Sequence, residues 1–498
     1  MGVGVSSARP GMEQASNAAV LRQLSEAGAI PRPLCVNLER ALVRADITWE
    51  GVLHLLRRQP WLIFVLPFWV LGGRARVRRE VAARIPLDAP ALPYRTDLLE
   101  MLRASADNGR TLVLAAVGDP STARAVAEHL GLFQETLVSD SPKARSAQLQ
   151  ERYAATGFDY VGGSSLDLPA LAVAQRGYLV NAGPAAISGA RQLGEKVQVL
   201  STRPSRLRAV IRAVRPHQWA KNALVIMPVP LAEHRPSFSH LVAAILAAIS
   251  FSFCASAGYV FNDLLDVEAD RAHRTKYRRP FASGDLPARY GPALFLVLIA
   301  ASFGLAVAAL PLGFLGMLGI YFVATLAYST ALKSVLMLDV VVLAWLYTHR
   351  VLAGGIATAI PISAWLLAFS MFIFSSLAFA KRYIELRQSV KGGQLKSRGY
   401  HTQDLEMVAS MGPTAGYIAV LVFCLFANSP GVTERYHQPM LLWFVCPVLL
   451  YWISRIWFLS HRGLMQDDPV KFALTDRQSW VCAFLVVTLA ALARLLPR

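Results

Sequence analysis

The stretch FNDLLDVEADRAHRTKYRRP, residues 261–280, holds the side chains best suited to chemistry in this chain. Asp263, Asp266 and Asp270 stand at i, i+3 and i+7, which puts three carboxylates on one face if the segment is helical. Three like charges repel unless a cation sits among them. Mg2+ suits this spacing, because it takes one or two carboxylates and completes its shell with phosphate oxygens and water. Lys276, Arg278 and Arg279 follow directly and are placed to clamp the same polyphosphate. The plainer reading is a solvated loop in which Arg271, Arg274 and Lys276 pair with the acids. Position tells against it: a long apolar run precedes the acids, and unpaired carboxylates at a membrane helix end are costly and tend to be functional.

Other candidates are scattered. Asp339 lies in an apolar segment, either as a functional acid or as the partner of Lys333 or Arg350. Arg350 is mid-run, where a cation needs an anionic partner, and a phosphate or carboxylate is expected against it. Lys381 and Arg382 are ligand contacts or helix-end anchors that snorkel. His349 reads as a satisfied interior histidine. QDDP at 466–469 reads as a cap or loop, and Asp476 with Arg477 as an ion pair at the start of the last helix.

These residues need a scaffold, and the composition describes it. The chain has 498 residues, 54% hydrophobic and 16% charged, a profile that fits a polytopic membrane protein. The net charge of +18 does not point to nucleic acid, because the bases lie between apolar blocks, as cytoplasmic loops should. The five cysteines have no CxxC or CxxH spacing, so neither a disulfide framework nor a zinc site is expected. The N-terminal residues contain no apolar core, so no signal peptide is expected and the N-terminal region should stay in the cytoplasm.

Composition changes near residue 205. Residues 1–30 read as a disordered tail. Over 31–204, short apolar runs such as LCVNL, TLVLAAV and GYLVNA alternate with Ala-rich helical segments, which predicts a Rossmann-like parallel α/β domain. WLIFVLPFWVLGG at 61–73 breaks that pattern; it is short for a span and contains Pro67, so it reads as a cap element or a piece lying on the membrane surface. Over 205–498 an all-α membrane bundle of about nine spans is predicted, near 219–233, 238–261, 291–308, 311–332, 336–360, 362–382, 413–430, 439–461 and 479–497. The connections near 262–290, 333–335, 383–412 and 462–478 hold most of the loop Lys and Arg, while the opposite connections keep little beyond Arg235 and Arg435. That bias places the 262–290 loop in the cytoplasm and the chain in the inner membrane. GFLGMLG at 313–319 and AGGIA at 353–357 offer small residues for close helix packing.

NDLLDVEADRAHRTKYRRPFASG resembles the NDxxDxxxD motif and the following K-x-x-RP-x-x-SG segment of the UbiA-type membrane transferases. RPHQWAKN at 215–222, YSTALKSVLMLDVVVLAWLYTHRVLAGGIA at 328–357, FAKRYIELR at 379–387 and the segment from YWISRIW onward agree with it. The resemblance covers about residues 210–498 and is nearest to the polyprenyl-phosphate phosphoribosyltransferase branch. It implies a helical bundle with a central polar cavity, where Mg2+ holds the donor diphosphate. It makes Asp263, Asp266 and Asp270 metal ligands, with Asn262 orienting them or binding donor oxygens. It places Lys221, Lys276, Arg279, Lys333, Arg350, Lys381 and Arg382 at substrate-binding positions and Asp339 in the second acidic motif. That motif is incomplete here, since Leu343 stands where its second acid belongs.

Two reactions share this physics: attack of a polyprenyl phosphate on phosphoribosyl diphosphate, and alkylation of a small or aromatic acceptor by a polyprenyl diphosphate. A lipid or ion carrier is the non-enzymatic rival. The 31–204 half resembles haloacid-dehalogenase (HAD) hydrolases with their chemistry removed. Asn37 replaces the nucleophilic aspartate, Glu39 the acid/base, Ala116 the second-motif hydroxyl and Gly163 the first acid of the last motif, while Lys143 loosely matches the third-motif lysine. An amide forms no phospho-aspartyl intermediate, so this domain is expected to be inactive as a phosphatase.

Overall fold

The computed structural model describes residues 32–84, 88–202, 205–232, 236–273, 275–390, 399–465 and 468–497. The tail expected over 1–30, and Arg235 and Arg274, lie outside them. The chain divides into two compact units: Met1–Ala213 with Val260–Ala293, and Val214–Tyr259 with Leu294–Arg498. The acidic segment thus groups with the N-terminal half.

The first unit is built on six parallel strands, β1 Leu34–Asn37, β2 Leu112–Val117, β3 Glu135–Ser139, β4 Asp159–Gly162, β5 Arg176–Leu179 and β6 Val197–Val199. Their order is β3-β2-β1-β4-β5-β6, with Leu34 opposite both Leu112 and Asp159. Helices cover both faces, which is why β2 reads as an unbroken apolar run and β1 and β4 are polar only at an end, at Asn37 and Asp159. Leu34, Val36, Leu112 and Leu114 face one core with Leu98 and Leu102, while Cys35, Val113 and Ala115 face the other with Leu149 and Leu171. The strand order reverses between β1 and β4, and open α/β sheets receive ligands beyond their carboxyl ends at such a point. The connection from β1 to β2 carries the helices Ile47–Arg58, Leu66–Leu71, Arg74–Ala82 and Thr96–Asp107.

Among the described residues, eight helices are long and apolar enough to cross a membrane: Phe238–Leu265, Ala288–Ala309, Leu312–Thr330, Leu338–Thr358, Ala364–Gln388, Thr402–Ala427, Pro439–Arg462 and Arg477–Leu495. The span expected near 219–233 is not among them. Pro216–Val225 is a 3-10 segment followed by turns, and Pro228 and Pro230 in the second half of the expected span each remove a backbone donor that a continuous helix needs. AGGIA packs as its composition suggests: a Cβ at Gly354 would lie 2.0 Å from the Val225 carbonyl oxygen. GFLGMLG does so only at Gly313, as Gly316 and Gly319 face open space. All five cysteines are free.

Candidate functional site

In the first unit, the last turn of the Phe238–Leu265 helix carries Asn262 and Asp263. The helix breaks at Asp266, whose ψ of 12° departs from helical geometry, and Val267–Ala272 then carries Asp270. The Asp266 amide donates to the Asn262 carbonyl at 2.9 Å and the Asp270 amide to the Asp266 carbonyl at 2.8 Å, so the helical rhythm survives the break. Asp263 and Asp270 are both buried and meet at one atom: Arg279 Nη1 donates to Asp263 Oδ1 at 3.0 Å and to Asp270 Oδ2 at 2.6 Å. Burial raises the Asp270 carboxyl above its ordinary range, against the pull of Arg279 and with the push of Asp263. Asp266 lies partly exposed at the break, and Lys276 is exposed on the 3-10 turn Lys276–Arg278.

The turn that presents Arg279 closes through Gly284, at φ +75°, where a Cβ would lie 2.2 Å from the Arg44 carbonyl oxygen. Arg271 fixes the same region. Its two terminal nitrogens donate to Glu50 Oε2 and Oε1 at 2.8 and 2.6 Å, and its Nε donates to the Ala282 carbonyl at 3.1 Å. His54 bonds Glu268 at 2.8 Å. Helix Ile47–Arg58 is thereby fastened to the helix that holds Asp270. Sequence inspection offers Arg271 only as a loop ion pair with the acids; its actual partner lies 221 positions away.

Two buried carboxylates converging on one point are oxygen donors of the kind a hard divalent cation takes, and here both are paired with Arg279. Among the described residues, no three His, Cys, Asp or Glu gather into a ready ligand cluster. Asp263 and Asp270 are the pair that the geometry brings together, and phosphate oxygens and water would complete a shell around an ion there.

In the second unit, Asp339 pairs with Arg382. Its Oδ2 lies 2.8 Å from Arg382 Nε, and Tyr400 donates to its Oδ1 at 2.8 Å. Arg382 also pairs with Glu385 and is 1% exposed, so it is no snorkelling anchor. Among the described residues Arg350 meets no carboxylate: it donates to Asn222 Oδ1 at 2.9 Å, Tyr321 Oη at 2.8 Å and the Leu346 carbonyl at 2.6 Å, between the Tyr321 and Tyr347 rings. Lys221 pairs with Asp468, and the Lys381 charge acts on the same carboxylate. Burial opposes ionisation of Asp468, but the two lysines outweigh it and hold its carboxyl down at about 2. Asp468 also caps helix Pro469–Thr475. Capping was legible in QDDP; the lysine partner, 247 positions away, was not. Asp476 pairs with Arg455, at 2.7 and 3.0 Å, rather than with Arg477. Lys333 lies in the 3-10 turn Leu332–Ser334 ahead of the Leu338–Thr358 helix. His349 bonds the Met317 carbonyl oxygen at 2.9 Å, as a satisfied interior histidine does.

At the carboxyl ends of the sheet, Asn37 Nδ2 donates to Asp167 Oδ1 at 2.7 Å. Asp167 is fully buried and also receives Arg145, Tyr160 and the amides of Gly163 and Ser164. The base that reaches this acid is therefore Arg145; Lys143 is exposed. A Cβ at Gly163 would stand 2.2 Å from the Arg40 carbonyl oxygen, so the backbone leaves no room for an acid there.

A profile of the UbiA prenyltransferase family matches residues 225–492. The uncharacterized protein y4nM of Sinorhizobium fredii is 33% identical over 472 residues, covering 93% of this chain and 91% of its own. The nodulation protein NoeC of Azorhizobium caulinodans is 38% identical over 275 residues, 54% of this chain and 88% of its own. Decaprenyl-phosphate phosphoribosyltransferase of Mycobacterium tuberculosis is 32% identical over 307 residues, 59% of this chain and 98% of its own. A solved UbiA homolog from Archaeoglobus fulgidus, bound to DMAPP and Mg2+, aligns with 58% of this chain and 100% of its own at 17% identity and a TM-score of 0.44, too loosely to bear on the site.

Proposed function

The chain belongs to the UbiA prenyltransferase family, an integral-membrane family of transferases, and on that footing we propose that it moves a phosphoribosyl group from phosphoribosyl diphosphate to a polyprenyl phosphate. The observation that carries this reading is the convergence of Asp263 and Asp270 on Arg279 Nη1, joined to the similarity with a decaprenyl-phosphate phosphoribosyltransferase along nearly all of that enzyme's length. A phosphate oxygen of the lipid forms the bond to the anomeric carbon, and diphosphate leaves with the electron pair of the bond that breaks. Mg2+, held by Asp263 and Asp270, would neutralise charge on that leaving group. Arg279 holds the two carboxylates together, and Lys276 on the adjacent exposed turn adds positive charge for a polyphosphate.

The N-terminal unit contributes no phosphatase chemistry in this reading, because Asn37 supplies an amide where a nucleophile is required and spends it on Asp167. Its part is mechanical: Glu50 and Arg271 fasten the helix that bears Asp270. The bias of Lys and Arg toward the 262–290 side supports a cytoplasmic position for the acids at an inner membrane.

The test is a donor screen on the purified full-length chain with Mg2+, read by mass spectrometry of the lipid product. Phosphoribosyl diphosphate with polyprenyl phosphate should give a lipid-linked phosphoribose. A product formed only from a prenyl diphosphate and an aromatic acceptor would replace this reading with prenyl transfer.

A further inference from the structure

The connection between β1 and β2 contains a surface that the proposed chemistry does not use. Residues 60–71 form a 3-10 turn, Pro60–Phe64, and the short helix Leu66–Leu71. Leu62 and Trp69 point inward and pack with Val52, Leu55, Val77 and Val81, so the segment is anchored to its unit. The outward side is the more apolar one. Trp61, Phe64, Phe68 and Leu71 are 60%, 78%, 65% and 85% exposed, and their i, i+3, i+7, i+10 spacing lines them up on one side of a helical path. A contiguous apolar patch of this kind on a folded surface marks an interaction site.

Charge identifies the partner. Between Glu50 and Glu80 the sequence has six arginines and no acid. Arg57 and Arg58 end the preceding helix, and Arg76 and Arg79 lie on the following one, all four exposed. An aromatic and aliphatic face carried between two arginine-bearing helices complements an anionic bilayer surface, where apolar side chains enter the acyl boundary and guanidiniums meet phosphates. A second copy of the chain would bring the same arginines against themselves. Chain continuity also brings a bilayer to this unit, because its segment Val260–Ala293 joins the candidate spans Phe238–Leu265 and Ala288–Ala309.

We infer that residues 60–71, with Arg57, Arg58, Arg76 and Arg79, form an in-plane anchor seated in the headgroup region of an anionic membrane. The test uses full-length protein with p-benzoylphenylalanine placed at Phe64 or, in a second variant, at Leu71. Each is reconstituted in nanodiscs of phosphatidylcholine alone or mixed with phosphatidylglycerol, irradiated and analysed by mass spectrometry. Lipid adducts are expected at both positions, several-fold more abundant in the discs with phosphatidylglycerol, and reduced toward the phosphatidylcholine level by R76E/R79E. The same probe at exposed Glu151 should give none. Crosslinks to a second copy, absence of lipid adducts at both positions, or yields indifferent to lipid charge would overturn the inference.

Discussion

Replacing Glu50 with alanine leaves Arg271 without its carboxylate. The pair is bidentate, and its side chains are only 16% and 11% exposed. Removing one member of a fully buried pair costs about 3–5 kcal/mol, because an uncompensated charge stays behind. Some water reaches this one, so about 3 kcal/mol is expected. For a unit of this size each kcal/mol lowers Tm by about 2–4 °C, which gives a drop of roughly 6–12 °C in the unfolding of the N-terminal unit. Burial pushes the Glu50 carboxyl above its ordinary range even with Arg271 beside it, so desolvation outweighs the attraction. Replacing both members, Glu50→Met with Arg271→Met, should therefore recover all but about 1 kcal/mol. The control is Arg152→Ala, which breaks a pair whose arginine is 61% exposed and should cost no more than about 1 kcal/mol. Thermal unfolding of the full chain in detergent, followed by differential scanning and limited proteolysis, reads all four proteins. If Glu50→Ala shifts the transition no more than Arg152→Ala, or if the double variant is no better than the single, the pair is not the fastening described.

Two other outcomes follow from the geometry. Asn37→Asp would set a second buried carboxylate at hydrogen-bond distance from Asp167, so it should destabilise the N-terminal unit by about 2 kcal/mol or more and leave p-nitrophenyl phosphate uncleaved; hydrolysis above background would refute the assignment. Asp468 has a folded carboxyl near 2 against an ordinary 3.8, so its contribution is present above pH 4 and disappears as pH falls through about 2. Asp468→Asn should accordingly be about 2 kcal/mol less stable than the parent at neutral pH, with the gap closing between pH 4 and 2 in denaturant titrations. A gap independent of pH would remove the lysine pairing as its cause.

What the sequence discloses here depends on distance along the chain. Asp263 and Asp270 are seven positions apart, so helical spacing puts them on one face, while their meeting at Arg279 Nη1 across the break at Asp266 is not legible from spacing. The strands of the sheet are legible because both faces are covered, so β2 is apolar throughout and β1 and β4 are interrupted only at their ends, by Asn37 and Asp159. Misreadings arise where composition stands in for geometry or where partners are remote. Residues 219–233 are apolar enough for a span, yet Pro228 and Pro230 deny them the hydrogen bonds of one. Arg382 has the composition of a helix-end anchor, but Asp339, 43 positions earlier, draws it inside. Arg145 rather than Lys143 serves Asp167, since it is the one of the two that the Pro142–Arg152 helix turns toward the sheet.

The acid pair is tested most directly by turnover in its absence. Asp263→Asn and Asp270→Asn should each lower Mg2+-dependent formation of lipid-linked phosphoribose by about 100-fold or more, the scale lost when one preorganised electrostatic group is removed from a reaction centre. Parental rates in either variant, or undiminished turnover of the unaltered protein in excess chelator, would contradict it.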